Sequence, residues 1–101
     1  MRELQARVAK WHRKTFGPTT ADLLRRMGQK FDEEVAEYRE HLDLKEAADV
    51  ILVLMTIADR AGVDLQALVE EKLAVIEQRT DQIERDAERG IVADGRTRSV
   101  T

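Results

Sequence analysis

The chain has 101 residues, 43% hydrophobic and 37% charged, with no cysteine, one proline and five glycines. This length fits one small domain, and this balance excludes a disordered chain, a disulfide framework and a thiolate metal site. The net charge of −3 is unevenly spread: Arg2, Arg7, Lys10, Arg13 and Lys14 make the N-terminus basic, while the acidic centre from Asp32 to Asp49 disfavours nucleic acid as a partner.

The charged N-terminus lacks the apolar core of a signal peptide, and the longest apolar run, VILVLM at 50–55, is too short to span a bilayer. A soluble, cytoplasmic chain with no membrane partner is therefore expected. A first helix is predicted over 2–15, with Leu4, Val8 and Trp11 at helical spacing. On that spacing Trp11 is expected to pack in the core, and His12 and His41 to lie on the surface. Phe16-Gly17-Pro18 breaks the helix. Thr19 and Asp22 have capping-box spacing, and a second helix is predicted over 20–41, with an apolar stripe of Leu24, Met27, Phe31, Val35, Tyr38 and, just past its end, Leu42. Asp43 is expected to start a third helix that Gly62 ends, and Asp64 a fourth that reaches residue 88. Leu65, Leu68, Val69, Leu73, Ile76 and Ile83 are its expected inward stripe. Residues 1–89 then form one helical domain and 90–101 a flexible tail, in an all-α, four-helix protomer.

On the third helix Lys45, Glu46, Asp49, Thr56, Asp59 and Arg60 share a sector of about 140°, and the rest of the circumference is largely apolar. So wide an apolar arc needs partners on several sides. A dimer or tetramer with this helix at the interface is expected.

Glu34 and Glu37 are three residues apart, as are Glu46 and Asp49. On helices each pair occupies neighbouring positions of one face, and two facing pairs would enclose a four-carboxylate cage. Oxygen-only ligands favour Mg²⁺, Mn²⁺ or Ca²⁺. With Phe31 at the centre of the buried stripe, Glu34 lies about 60° and Glu37 about 120° to one side, flanking the core. The same carboxylates also fit roles without a metal. Glu33, Glu37 and Glu40 suit a solvated face, Glu46 suits a capping box with Asp43, and Asp49 suits the exposed stripe of a buried helix.

The run KFDEEVAE (30–37), followed after eight residues by EAAD (46–49), resembles the MazG-type all-α nucleoside triphosphate pyrophosphohydrolases, whose signature is Glu-Glu-x-x-Glu on one helix and Glu-x-x-Asp on the next. The downstream run VILVLMTIADRAGVDLQALVEEK is similar as well, and Arg79 matches a basic position of the family. The resemblance covers about residues 20–80. Ile76 departs from it, standing where the family often has asparagine.

The resemblance implies the all-α NTP pyrophosphatase fold and Mg²⁺-dependent hydrolysis of nucleoside triphosphates to monophosphate and pyrophosphate, used to clear unwanted nucleotides. Glu34, Glu37, Glu46 and Asp49 would be the metal ligands, and Glu33 would orient or deprotonate the attacking water. Lys30, Lys72 and Arg79 would bind the phosphates. Trp11 is a candidate for stacking on the nucleobase. The related phosphoribosyl-ATP pyrophosphatases share the acidic motifs and remain an alternative activity, and a non-catalytic helical oligomerisation module is the alternative outside enzymes.

Overall fold

In a computed structural model that describes residues 1–88, the chain is all-α, with helices α1 (Arg2–Phe16), α2 (Ala21–His41), α3 (Leu44–Arg60) and α4 (Leu65–Glu88). The tail expected over 90–101 lies outside the described residues. The chain divides into two compact units, Met1–Gln66 and a second from Ala67 on.

The helix ends follow from local chemistry. Gly17 closes α1 at φ 77°, a left-handed value that glycine adopts without a Cβ clash, and its N–H donates to the Arg13 carbonyl at 2.9 Å. The α2 cap is Thr20 and not the expected Thr19: the Thr20 hydroxyl accepts from the Leu23 N–H at 3.1 Å. The Thr19 hydroxyl is engaged elsewhere, accepting from Arg60 at 3.3 Å. Thr20→Ala is expected to cost about 1 kcal/mol in chemical denaturation, because it orphans a helix N-terminal donor. Only Leu42 and Asp43 join α2 to α3, Leu42 in the left-handed region at φ 52° and Asp43 capping the Lys45 N–H at 3.0 Å. At the far end of α3, Gly62 (φ 72°) donates to Asp59 and Val63 donates to Ala58 at 2.8 Å, the paired bonds of a Schellman motif.

In the first unit α3 packs against both α1 and α2. Val8, Met27, Met55 and Ala58 are its buried apolar residues. At its lower edge Gln5 donates to the Val63 carbonyl at 2.8 Å and accepts from the Leu65 N–H at 3.0 Å, tying α1 to the turn before α4.

Several faces differ from the sequence expectation. Part of the polar sector of α3 turns inward: Thr56 and Arg60 are buried, while Leu44 is 81% exposed and Ile51, Leu52 and Leu54 are exposed as well. The charges are admitted because they find partners. Arg60 donates to His12 Nδ1 at 2.9 Å and to the Gly17 carbonyl at 2.6 Å, and Arg13 pairs with Asp59 at 2.9 Å. On α1 the inward row is Gln5, Val8, Ala9 and His12, rotated by about one position from Leu4, Val8 and Trp11. Trp11 is therefore 57% exposed and not core, whereas His12, expected on the surface, is buried. Helix α4 buries none of its residues: Leu68, Val69 and Leu73 are exposed, and Leu65, Ile76 and Ile83 are half-buried. An amphipathic stripe identifies residues that share a face without identifying what covers it. No described helix is long and apolar enough to cross a membrane.

Candidate metal centre

The turn between α2 and α3 sets the register of the acidic residues. Two antiparallel helices that advance about 1.5 Å per residue from a common turn bring residues equally distant from it to the same level. The pairs Glu37–Glu46 and Glu34–Asp49 share one midpoint, between His41 and Leu42 at the α2 side of that turn, so they occupy two successive levels of the hairpin. Spacings of three on both helices thus become two facing pairs.

Glu34, Glu46 and Asp49 each present a carboxylate oxygen, and these atoms all lie within 4.8 Å of one another. A cation with metal–oxygen bonds of about 2.1–2.4 Å spans ligand oxygens about 3–5 Å apart, so the separation fits one ion. The three residues grade from buried Glu34 through half-buried Glu46 to exposed Asp49, so the cluster opens to solvent on the Asp49 side. Glu34 is 5% exposed, and its Oε2 is buried without a hydrogen-bond partner. An unpartnered buried carboxylate oxygen is costly, and a cation would satisfy it.

Glu37, the fourth expected ligand, lies outside this group but within its field. Its carboxyl is held above the ordinary range chiefly by the Glu34 carboxylate, then by burial, and further by Glu46, with which it shares a hydrogen bond. Like charges this close disfavour full ionisation. Lys30 supplies the positive charge: its Nζ is 2.8 Å from Glu34 Oε1 and 4.0 Å from Glu33 Oε2. Its ammonium is stabilised first by the hydrogen bond to Glu34. Glu33 is exposed, one helical position outside the cluster.

A cavity of about 950 Å³ adjoins the cluster and includes Glu34 and Asp49 in its lining. Leu4, Val8, Trp11 and Phe16 of α1, Met27 of α2 and Leu52 of α3 form apolar walls, and Arg7, Arg26 and Lys30 add positive charge. A volume near the upper end of the usual range for small-molecule pockets, mostly apolar with a few convergent charges, suits an organic anion. Trp11 and Lys30 thus border the same space as two of the acidic residues. Lys72 and Arg79 are exposed residues of α4 in the second unit. Sequence reasoning does not single out Arg7, Arg26, Phe16 or His12 for this site. A signal is nevertheless present: Arg7 precedes Trp11 by one helical turn and Arg26 precedes Lys30 by one.

A protein of Salmonella phage PMBT28 named dATP/dGTP diphosphohydrolase is 32% identical to this chain over 104 residues. The match takes in 97% of this chain and 34% of the phage protein, so the chain spans about a third of that relative's length. No family model matches the chain, and no solved structure matches it at a significant level.

Proposed function

We propose that this chain carries a divalent-metal-dependent nucleoside triphosphate pyrophosphohydrolase centre of the MazG type. The observation that carries the reading is the convergence of Glu34, Glu46 and Asp49 around an unpartnered buried oxygen, beside an apolar cavity rimmed with cations. The similarity to a phage protein named for dATP and dGTP supports the same class and makes these two deoxynucleotides the first substrates to test.

A triphosphate with about four negative charges is repelled by a bare carboxylate cluster. Mg²⁺ or Mn²⁺ held by Glu34, Glu46 and Asp49, with Glu37 as the fourth ligand, would screen that charge and polarise the α-phosphoryl oxygens. The residues of the chain do the rest. Trp11 and the apolar walls take the nucleoside, burying its base face. Arg7, Arg26 and Lys30 hold the phosphates. Glu33 accepts a proton from the attacking water as the water oxygen bonds to the α-phosphorus. The bond from that phosphorus to the α–β bridging oxygen breaks, and the electron pair leaves with pyrophosphate, whose growing charge the basic residues stabilise. Lys72 and Arg79 are assigned to the phosphates on the MazG resemblance alone.

The exposed apolar face of α3, with Leu44, Ile51 and Leu54, supports a homo-oligomer in which a second copy covers it. Light scattering on a size-exclusion column tests this, and a monomer at all concentrations would refute it. Incubation with dATP, dGTP and other triphosphates in Mg²⁺ tests the activity. Monophosphate and pyrophosphate in equal amounts are expected. Release of orthophosphate alone would overturn the reading, as would absent turnover together with no divalent-dependent thermal shift.

A further inference from the structure

Arg60 is a buried cation whose bonds all run to the segment that ends α1 and begins the approach to α2. Its Nε and Nη2 donate to His12 Nδ1 at 3.2 and 2.9 Å, and its Nη1 donates to the Gly17 carbonyl at 2.6 Å and to Thr19 Oγ1 at 3.3 Å. A ring nitrogen that accepts from a guanidinium carries no proton, so His12 is the neutral Nε2–H tautomer here. The His12 ring in turn contacts Phe16 at 4.7 Å and Trp11 at 5.9 Å between centroids, and Trp11 meets Phe16 edge-on at 6.1 Å. All three rings border the cavity beside the acidic cluster. We propose that Arg60 is a positioning residue that fixes the aromatic wall of this cavity through His12, and that it releases the wall when His12 takes up a proton.

Protonation would place an N–H and a positive charge where Nδ1 now accepts from a positive charge. The surroundings do not offset this. Asp59 of α3 favours the charged ring, but it is already paired with Arg13 of α1 at 2.9 Å, and Arg13 itself acts against a charged ring. The other charged groups that line the same cavity are Arg26, Lys30 and Glu34 of α2, with Lys30 and Glu34 paired with one another, and Arg7 of α1 and Asp49 of α3, which are opposite in sign. Burial is the largest influence holding the imidazole below its ordinary value, and Arg60 is the next. Because the folded value is the lower one, the unfolded chain takes up the proton first. This contribution to stability is therefore intact above about pH 6.5 and is lost as pH falls from there through the folded value. The role of the cavity as the nucleoside pocket rests on the function proposed above. The latch itself does not.

The chain has one tryptophan, Trp11, so intrinsic emission reports this wall directly. A protonated imidazole beside an indole also quenches it. The full chain, without nucleotide, is expected to show a step in Trp11 emission with a midpoint below 6.5, while far-ultraviolet circular dichroism keeps its helical signal. His12→Gln keeps an acceptor for Arg60 without a titrating ring and is expected to abolish the step. Arg60→Gln is expected to move the midpoint upward and to leave the neutral-pH emission resembling the acid form. Arg60→Lys, which keeps the charge and loses the forked donors, is expected to lie between. A step that persists in His12→Gln, or a midpoint unmoved in both Arg60 variants, would overturn the proposal. If the step behaves as expected while no triphosphate is turned over and no divalent cation shifts the melting temperature, the latch stands and the proposed function falls. If turnover occurs without a His12-dependent step, the latch falls and the function stands.

Discussion

Glu34→Gln and Asp49→Asn are each expected to lower pyrophosphate release by roughly a hundredfold or more, because even the loss of a partner behind a metal ligand costs about 10–100-fold in affinity or activity. The stronger expectation concerns stability. Glu34 is buried, with one oxygen on Lys30 and the other without a partner. Without divalent cations, Glu34→Gln removes a charge that sits within 4.8 Å of two like charges, so the variant should melt no lower than the parent. With Mg²⁺ at about a hundred times its dissociation constant, linkage stabilises the parent by about 2.7 kcal/mol. For a domain of this size that is a rise of roughly 10–20 °C in Tm. Both variants should lose most of that rise, which scanning fluorimetry with and without Mg²⁺ measures directly. Glu37→Gln is expected to follow them in activity, since its carboxyl feels the Glu34 charge most strongly. Glu40→Gln, an exposed change on the same helix, should stay within about 0.5 kcal/mol of the parent and keep its activity. A melting temperature that ignores Mg²⁺ in the parent would remove the metal centre from consideration.

Met55→Ala is expected to be the most damaging single change to the fold. Met55 is 2% exposed, the largest fully buried side chain among the described residues, and it lies on the helix that packs against both α1 and α2. Truncating a buried methionine costs about 2–5 kcal/mol, from lost transfer free energy and the cavity left behind. The apolar core of the first unit holds few residues (Val8, Met27 and Ala58 beside Met55), so little can shift to fill the gap. Urea denaturation followed by circular dichroism should place the loss in that range, and a change under about 1 kcal/mol would mean the core is elsewhere. Leu44→Ala is the informative contrast. Leu44 is 81% exposed, so a solitary chain should hardly register the change. If a second copy covers α3, the same substitution should destabilise, and the effect should depend on protein concentration.

The helices themselves are legible in the sequence, because amphipathic spacing, Gly17-Pro18, Asp43 and Gly62 are local signals whose effect does not depend on the rest of the chain. The facing of Glu34 toward the core is legible for the same reason: its angle from Phe31 is fixed by helical geometry. The burial of Arg60 is not. Periodicity sorts residues by face, and a charged face is ordinarily taken to be the wet one. Nothing local to Arg60 announces that a carbonyl at Gly17 and a ring nitrogen at His12 await it more than forty residues upstream. His12 and Trp11 are misplaced by a related effect, because a rotation of about one position along α1 exchanges the two, and only the neighbouring helix fixes that rotation. The three-carboxylate cluster is legible as a pattern. The cavity beside it, formed by side chains from three helices, cannot be read from any one of them.

The two-residue connection Leu42–Asp43 bears on how this chain tolerates insertions and deletions. Because both acidic pairs share one midpoint beside that turn, extra residues looped out between Leu42 and Asp43 should leave the two arms, and the carboxylates they carry, opposite one another. A single residue added within Tyr38–His41 would instead swing Glu34 and Glu37 about 100° around their helix relative to Glu46 and Asp49, and displace them by about 1.5 Å. Variation in length among homologous chains should therefore collect at the hairpin tip and spare the two arms below it.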